Sequence, residues 1–162
     1  NWPKPGIMFR DITPLFKDAD AFHSVIQQFA QYYKNKSISK IIGIESRGFI
    51  LGAALAYELN LPFVLIRKIG KLPAETIQQE YELEYGKGIL EIHKDAITPG
   101  DQVLIVDDLL ATGGTALASC QLIEKLGGKV MGLAFVITLP DLRGKEKLRR
   151  YDLFHLIKFE GE

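Results

Sequence analysis

The stretch Val103-Leu104-Ile105-Val106-Asp107-Asp108-Leu109-Leu110-Ala111-Thr112-Gly113-Gly114-Thr115 places an uninterrupted apolar run before two carboxylates and a string of small residues. Four apolar residues in succession suit a strand of a parallel sheet, which is covered on both faces. A helical pattern follows from about Thr115 to Leu126 and stops at Gly127-Gly128. Thr112, Gly113, Gly114 and Thr115 therefore stand at a strand-to-helix transition, where outward-pointing N–H groups and the helix dipole favour an anion. The loop has no Walker-type lysine and no G-x-G-x-x-G fingerprint, so it suits a single phosphate. Asp107 and Asp108, at the strand end, can accept hydrogen bonds from a vicinal diol or hold Mg²⁺ through water. A phosphate close to a diol describes ribose 5-phosphate. Taken alone, the acid pair suits an N-cap before a tight turn equally well.

The same alternation continues outward. Ile41 to Ile44, Phe63 to Ile66, Val130 to Thr138 and Leu153 to Ile157 read as short buried strands. A helix capped by Asp18 or Asp20 carries Phe22, Val25, Ile26, Phe29 and Tyr33 at helical spacing, and Phe49 to Leu59 forms another, ended by Asn60 and Pro62. Strands alternating with helices imply βαβ units and a parallel sheet, with ligands beyond the carboxyl ends of the strands. Residues 1–18, with Pro3, Pro5 and Pro14, read as an extended arm. From Arg67 to about Gln79 the periodicity lapses, then resumes around Tyr81 to Tyr85 and Ile89 to Ile92 with Gly86 and Gly88 marking a hairpin turn. Leu142 to Arg150 reads as a short basic helix.

Composition narrows the class. The chain has 162 residues, 47% of them hydrophobic and 25% charged, as in ordinary globular proteins. Lys and Arg together number 20, as do Asp and Glu, so the basic excess of a nucleic-acid binder is missing. No apolar run reaches the roughly 18 residues of a membrane span. Cys120 is the only cysteine and falls within a helical pattern, which points to a core position and a reducing, cytoplasmic setting. His23, His93 and His155 lack metal-ligand spacing. One domain spanning 1–162 is expected. Asn1 is not an initiator methionine, and native residues upstream, able to help cover the site, are expected.

Leu104 to Ala116 closely resembles the phosphoribosyl-pyrophosphate signature of the type I phosphoribosyltransferases. Pro5-Gly6-Ile7-Met8-Phe9-Arg10-Asp11-Ile12-Thr13-Pro14, Glu45-Ser46-Arg47-Gly48-Phe49, Arg67-Lys68-Ile69-Gly70-Lys71-Leu72-Pro73 and Leu83-Glu84-Tyr85-Gly86 resemble the adenine phosphoribosyltransferase family, in order and at family spacing. The resemblance implies the α/β, parallel-sheet type I fold with a small hood and a mobile lid hairpin over 67–92. It implies purine salvage by a Mg²⁺-dependent homodimer that makes AMP and pyrophosphate from adenine and phosphoribosyl pyrophosphate.

The resemblance also distributes roles. Ala111 to Thr115 would hold the 5-phosphate, and Asp107 and Asp108 the ribose hydroxyls and, through water, the metal. Arg47, in a loop that the family often holds with a non-proline cis peptide near Glu45-Ser46, would face the departing pyrophosphate, its planar fork suited to phosphate oxygens. Arg67 and Lys68 at the lid root and Lys71 on the lid would neutralise the same group, although three such cations alone suit a solvated surface. Glu84, carried by the lid, would exchange the proton at adenine N9 or N7; otherwise it is a solvent-facing residue in line with Glu80 and Glu82. Phe9 would stack on the purine, and main chain around Met8 and Arg10 would read its edge. Two alternatives remain open: transfer to another base, such as a 6-oxopurine or orotate, and a non-catalytic regulator that senses phosphoribosyl pyrophosphate.

Overall fold

The computed structural model describes residues 10–83 and 85–161. Seven strands form one sheet in the order β3-β4-β2-β1-β5-β6-β7. The chain runs through α1 (Thr13–Lys17), α2 (Ala19–Tyr33), β1 (Lys40–Ile44), α3 (Arg47–Leu59), β2 (Phe63–Lys68), β3 (Thr76–Leu83) and β4 (Gly86–His93). It continues through β5 (Gln102–Leu110), α4 (Gly114–Lys125), β6 (Lys129–Thr138), a 3-10 turn (Pro140–Leu142), α5 (Gly144–Lys147) and β7 (Leu153–Lys158). The pairs β1–β2, β1–β5, β5–β6 and β6–β7 are parallel; β2–β4 and β3–β4 are antiparallel.

The apolar runs of β1 and β5 are continuous because each face of the sheet has its own cover. Ile41, Leu104, Val106 and Ala134 pack with Val25, Phe29 and Tyr33 of α2 and Leu51 and Leu55 of α3. Ile42, Ile44, Val103, Ile105 and Phe135 pack on the other side with Cys120, Leu122 and Ile123 of α4. Successive residues of a strand point to opposite faces, so these alternating sets follow from one unbroken apolar sequence. Cys120 is fully buried, as its helical position implied.

Three elements differ from the sequence reading. The arm contains the helix α1: Pro14 stands in its first turn, where a missing N–H costs nothing, and Asp11 accepts from both Thr13 N and Thr13 Oγ1 at 2.9 Å. The cap of α2 is Asp18, whose side chain accepts from Ala21 N at 3.0 Å. Second, the lapse in periodicity is confined to residues 69–75. From Thr76 onward the segment is a regular hairpin, joined to the sheet where β4 meets β2 (Arg67 opposite Glu91, Lys68 opposite Leu90). Its period was hidden because polar residues occupy both faces: Gln79 and Tyr81 are half-buried while Gln78, Glu80 and Glu82 are exposed. Third, the basic helix is reduced to the single turn of α5, because Pro140 opens a 3-10 turn and Arg143 adopts a left-handed conformation with φ 55°. Among the described residues, no helix is long and apolar enough to cross a membrane.

Candidate active site

Two strand-to-helix transitions lie side by side. The chain leaves β1 for β2 on one flank while β5 pairs with β1 on the other, which makes β1–β5 the point where strand order switches. At the end of β1, Glu45 and Ser46 lead into α3 through a cis peptide bond, where the family resemblance anticipated one. The first turn of α3 rests directly on β5. A Cβ at Gly48 would stand 2.8 Å from Val106 O and 3.0 Å from Asp107 Oδ1, so only glycine permits this approach.

β5 does not end at Val106, as the sequence suggested. Its ladder with β6 continues through Asp107 opposite Phe135 to Leu110 opposite Thr138, and both acids lie within the strand. Strand alternation then separates their partners. Asp108 is buried and its Oδ2 accepts from Arg47 Nε at 2.5 Å. Asp107 Oδ1 accepts from Asp108 N at 2.8 Å and lies against Gly48. Burial, followed by the neighbouring Asp108 charge, pushes the Asp107 carboxyl well above the ordinary carboxylate range, and the Arg47 charge only partly offsets this.

Beyond Leu110 the chain folds around a cavity of about 100 Å³ lined by Asp107, Ala111, Thr112, Gly113, Thr115 and Phe135. Gly113 turns into α4 with φ +81°, a conformation that L side chains seldom adopt. The lining of small residues at the N-terminus of α4 suits an anion.

Glu45 organises the cations on the opposite rim. Its carboxylate meets Lys71 Nζ, accepts from Lys68 N at 2.9 Å, and lies 3.4 Å from Arg67 Nε. Burial opposes its charge, but the hydrogen bonds from Lys71, Lys68 N and Arg67 outweigh that and hold its pKa down at about 2. Arg67 also covers the Phe49 ring at 5.8 Å. The Lys68 side chain is exposed, and only its backbone N–H joins the cluster. Behind it, buried Glu91 accepts from Gly70 N at 3.2 Å and Gln78 Nε2 at 2.8 Å, tying the irregular 69–75 segment to both hairpin strands.

The structure thus brings together Arg47, Asp107, Asp108 and the 111–115 loop, with Arg67 and Lys71 gathered at Glu45. Arg10 stacks its guanidinium over the Phe159 ring at 4.5 Å, and its neighbour Asp11 feels the Arg47 charge. Met8, Phe9 and Glu84 lie outside the described residues. Sequence reasoning missed Glu45 and Glu91 as anchors. Glu45 was legible as an acid directly after an apolar strand, but only the β1–β2 register, Ile44 opposite Ile66, sets it beside Arg67.

Among the described residues no cluster of three or more His, Cys, Asp or Glu side chains could enclose a metal. Asp107 on the cavity wall, with Asp108 next to it in the strand, nevertheless fits Mg²⁺ held mainly by ligand oxygens and water, since this ion keeps much of its hydration shell.

The fold and the two facing anion loops define a phosphoribosyl-transfer site, and the phosphoribosyl transferase domain model matches residues 16–161. An adenine phosphoribosyltransferase of Desulfosudis oleivorans is 55% identical over 162 residues, covering 100% of this chain and 94% of that protein. The crystal structure of adenine phosphoribosyltransferase from Thermoanaerobacter pseudethanolicus superposes with a TM-score of 0.94 at 54% identity, covering 97% of this chain and 91% of that one. The Saccharomyces cerevisiae enzyme, crystallised with an imino-altritol bisphosphate and adenine, gives 0.91 at 41% identity, with 97% and 91% coverage. The chain belongs to the adenine phosphoribosyltransferases, a family of pentosyl-transferring enzymes.

Asp108→Asn removes the charge that holds Arg47, and kcat/KM for phosphoribosyl pyrophosphate is expected to fall tenfold or more, about 1.4 kcal/mol, in steady-state assays. Because the folded pKa of Glu45 lies below its ordinary value, its stabilising effect is full above about pH 4.5 and is lost as pH falls towards 2. The stability gap between wild type and Glu45→Gln, read by denaturant unfolding, should therefore be constant from pH 7 to about 5 and narrow below that.

Proposed function

We propose that this site transfers the ribosyl 5-phosphate group of phosphoribosyl pyrophosphate to N9 of adenine, giving AMP and pyrophosphate in the cytoplasm. The observation that carries the proposal is the facing of two anion-receiving loops across β1–β5, joined by the Arg47–Asp108 pair. The amides of the 111–115 loop would bind the 5-phosphate, and Asp107 and Asp108 the ribose hydroxyls. Arg47, Arg67 and Lys71 would receive the pyrophosphate, with Lys68 adding charge at the rim. Glu45 serves as a placeholder anion here, gathering Arg67 and Lys71 where the pyrophosphate would arrive. Mg²⁺, held through water by Asp107 and Asp108, would neutralise charge on the diphosphate.

In the reaction the C1′–O bond to pyrophosphate breaks and the N9–C1′ bond forms, and the N9 proton departs. Glu84 is assigned to take that proton, while Met8, Phe9 and Arg10 hold the base. The cations matter because the leaving group must depart from a sugar centre that gains positive character, and closure over the site keeps water from that centre.

A homodimer belongs to the same proposal. Ile50 and Tyr57 project from one face of α3, and Leu65 lies on the same side of β2; they are 45%, 90% and 37% exposed. Exposed apolar residues of this kind suit a second copy of the chain.

The deciding assay follows pyrophosphate release from phosphoribosyl pyrophosphate and Mg²⁺ with adenine, hypoxanthine, guanine and orotate. Release with adenine alone is expected. Release with another base would move specificity elsewhere, and binding without release would identify a sensor. Glu84→Gln is expected to lower kcat with little change in KM; wild-type turnover would return Glu84 to the surface.

A further inference from the structure

The loop that faces the phosphate-sized cavity is held from behind by a backbone contact remote in sequence. The segment after β6 returns to it: Leu139 N donates to Leu110 O at 2.9 Å, Pro140 opens the 3-10 turn, and Arg143 turns the chain with φ 55°. This delivers Gly144, buried, against the loop. A Cβ at Gly144 would lie 2.2 Å from Ala111 O and 3.0 Å from Leu110 Cδ1, and one at Gly113 would lie 2.7 Å from Gly144 O. The contact is reciprocal. Backbone packs against backbone, so neither partner can swing aside as a flexible side chain would.

Gly144 does not have a positive φ, so a side chain there brings no left-handed strain, and the nearest atoms it would meet belong to the loop. The front of the loop is held as well: a Cβ at Gly114 would stand 3.1 Å from Glu82 O of the hairpin. Residues 111–114 therefore run between the hairpin and Gly144. Amide groups that bind a phosphate act through their preset direction, and small displacements of such donors weaken an anion site.

We propose that Gly144 is a positioning residue for the 5-phosphate site: it sets the direction of the Ala111–Gly113 backbone without touching the ligand. The inference rests on the assignment of the 111–115 loop to the 5-phosphate. Gly144 lies in a segment whose sequence reads only as basic.

The test uses ribose 5-phosphate as the probe, with adenine as the control ligand. In wild-type protein, amide resonances of Gly113 and Gly144 should move together in a ribose 5-phosphate titration, with one apparent Kd. In Gly144→Ala the Kd for ribose 5-phosphate and the KM for phosphoribosyl pyrophosphate should rise tenfold or more, with adenine KM within twofold. A ribose 5-phosphate Kd within twofold of wild type in a folded Gly144→Ala protein would overturn the proposal. Should that variant not fold, the wild-type titration decides: Gly113 shifting while Gly144 stays still overturns the positioning role and leaves the phosphate assignment intact. Neither the 111–115 amides nor Gly144 responding at saturation would overturn both.

Discussion

The parallel pairing of β1 with β5 is the constraint on which the site depends. It sets the N-termini of α3 and α4 beside one another, and two helix dipoles with their positive ends at one edge form a field that invites anions. Such an edge also draws negative charge from the protein itself. Asp108 on Arg47, and Glu45 on Arg67 and Lys71, provide it from within the same strands and loops. The carboxylates and cations at this edge are therefore linked through shared ion pairs.

Close backbone approach is the second theme. Gly48 lets α3 sit on β5, and Gly113, Gly114 and Gly144 let three separate chain segments meet around residues 111–114. Each contact replaces a side chain with main chain, which moves less and so defines the amide directions more sharply. Burial supports this from below: Val103 to Val106 and Ile41, Ile42 and Ile44 are nearly inaccessible to water, which anchors both strands firmly just before the residues that bind.

The irregular and antiparallel parts vary the same scheme. The β3–β4 hairpin joins the sheet at the ends of β2 and β4, leaving most of its length to lean on α4 near the phosphate loop. Glu91 fastens its base through Gly70 and Gln78.

The sequence by itself determined the α/β class, the strands β1, β2, β5, β6 and β7, and the loop 111–115, because continuous apolar runs and glycine-rich transitions are local signals. Its motifs also carried the family. The hairpin around Gly86 was legible as well, while local pattern failed where polar residues hid an alternation, as in residues 76–79 of β3, and where a proline in a first turn passed for an extended arm, as in α1. Only the tertiary structure decided that Asp107 and Asp108 lie within β5, that Glu45 gathers Arg67 and Lys71, and that Gly144 lies against Leu110 and Ala111. Those relations depend on strand register and on contacts between segments far apart in the chain, for which no run of neighbouring residues holds a record.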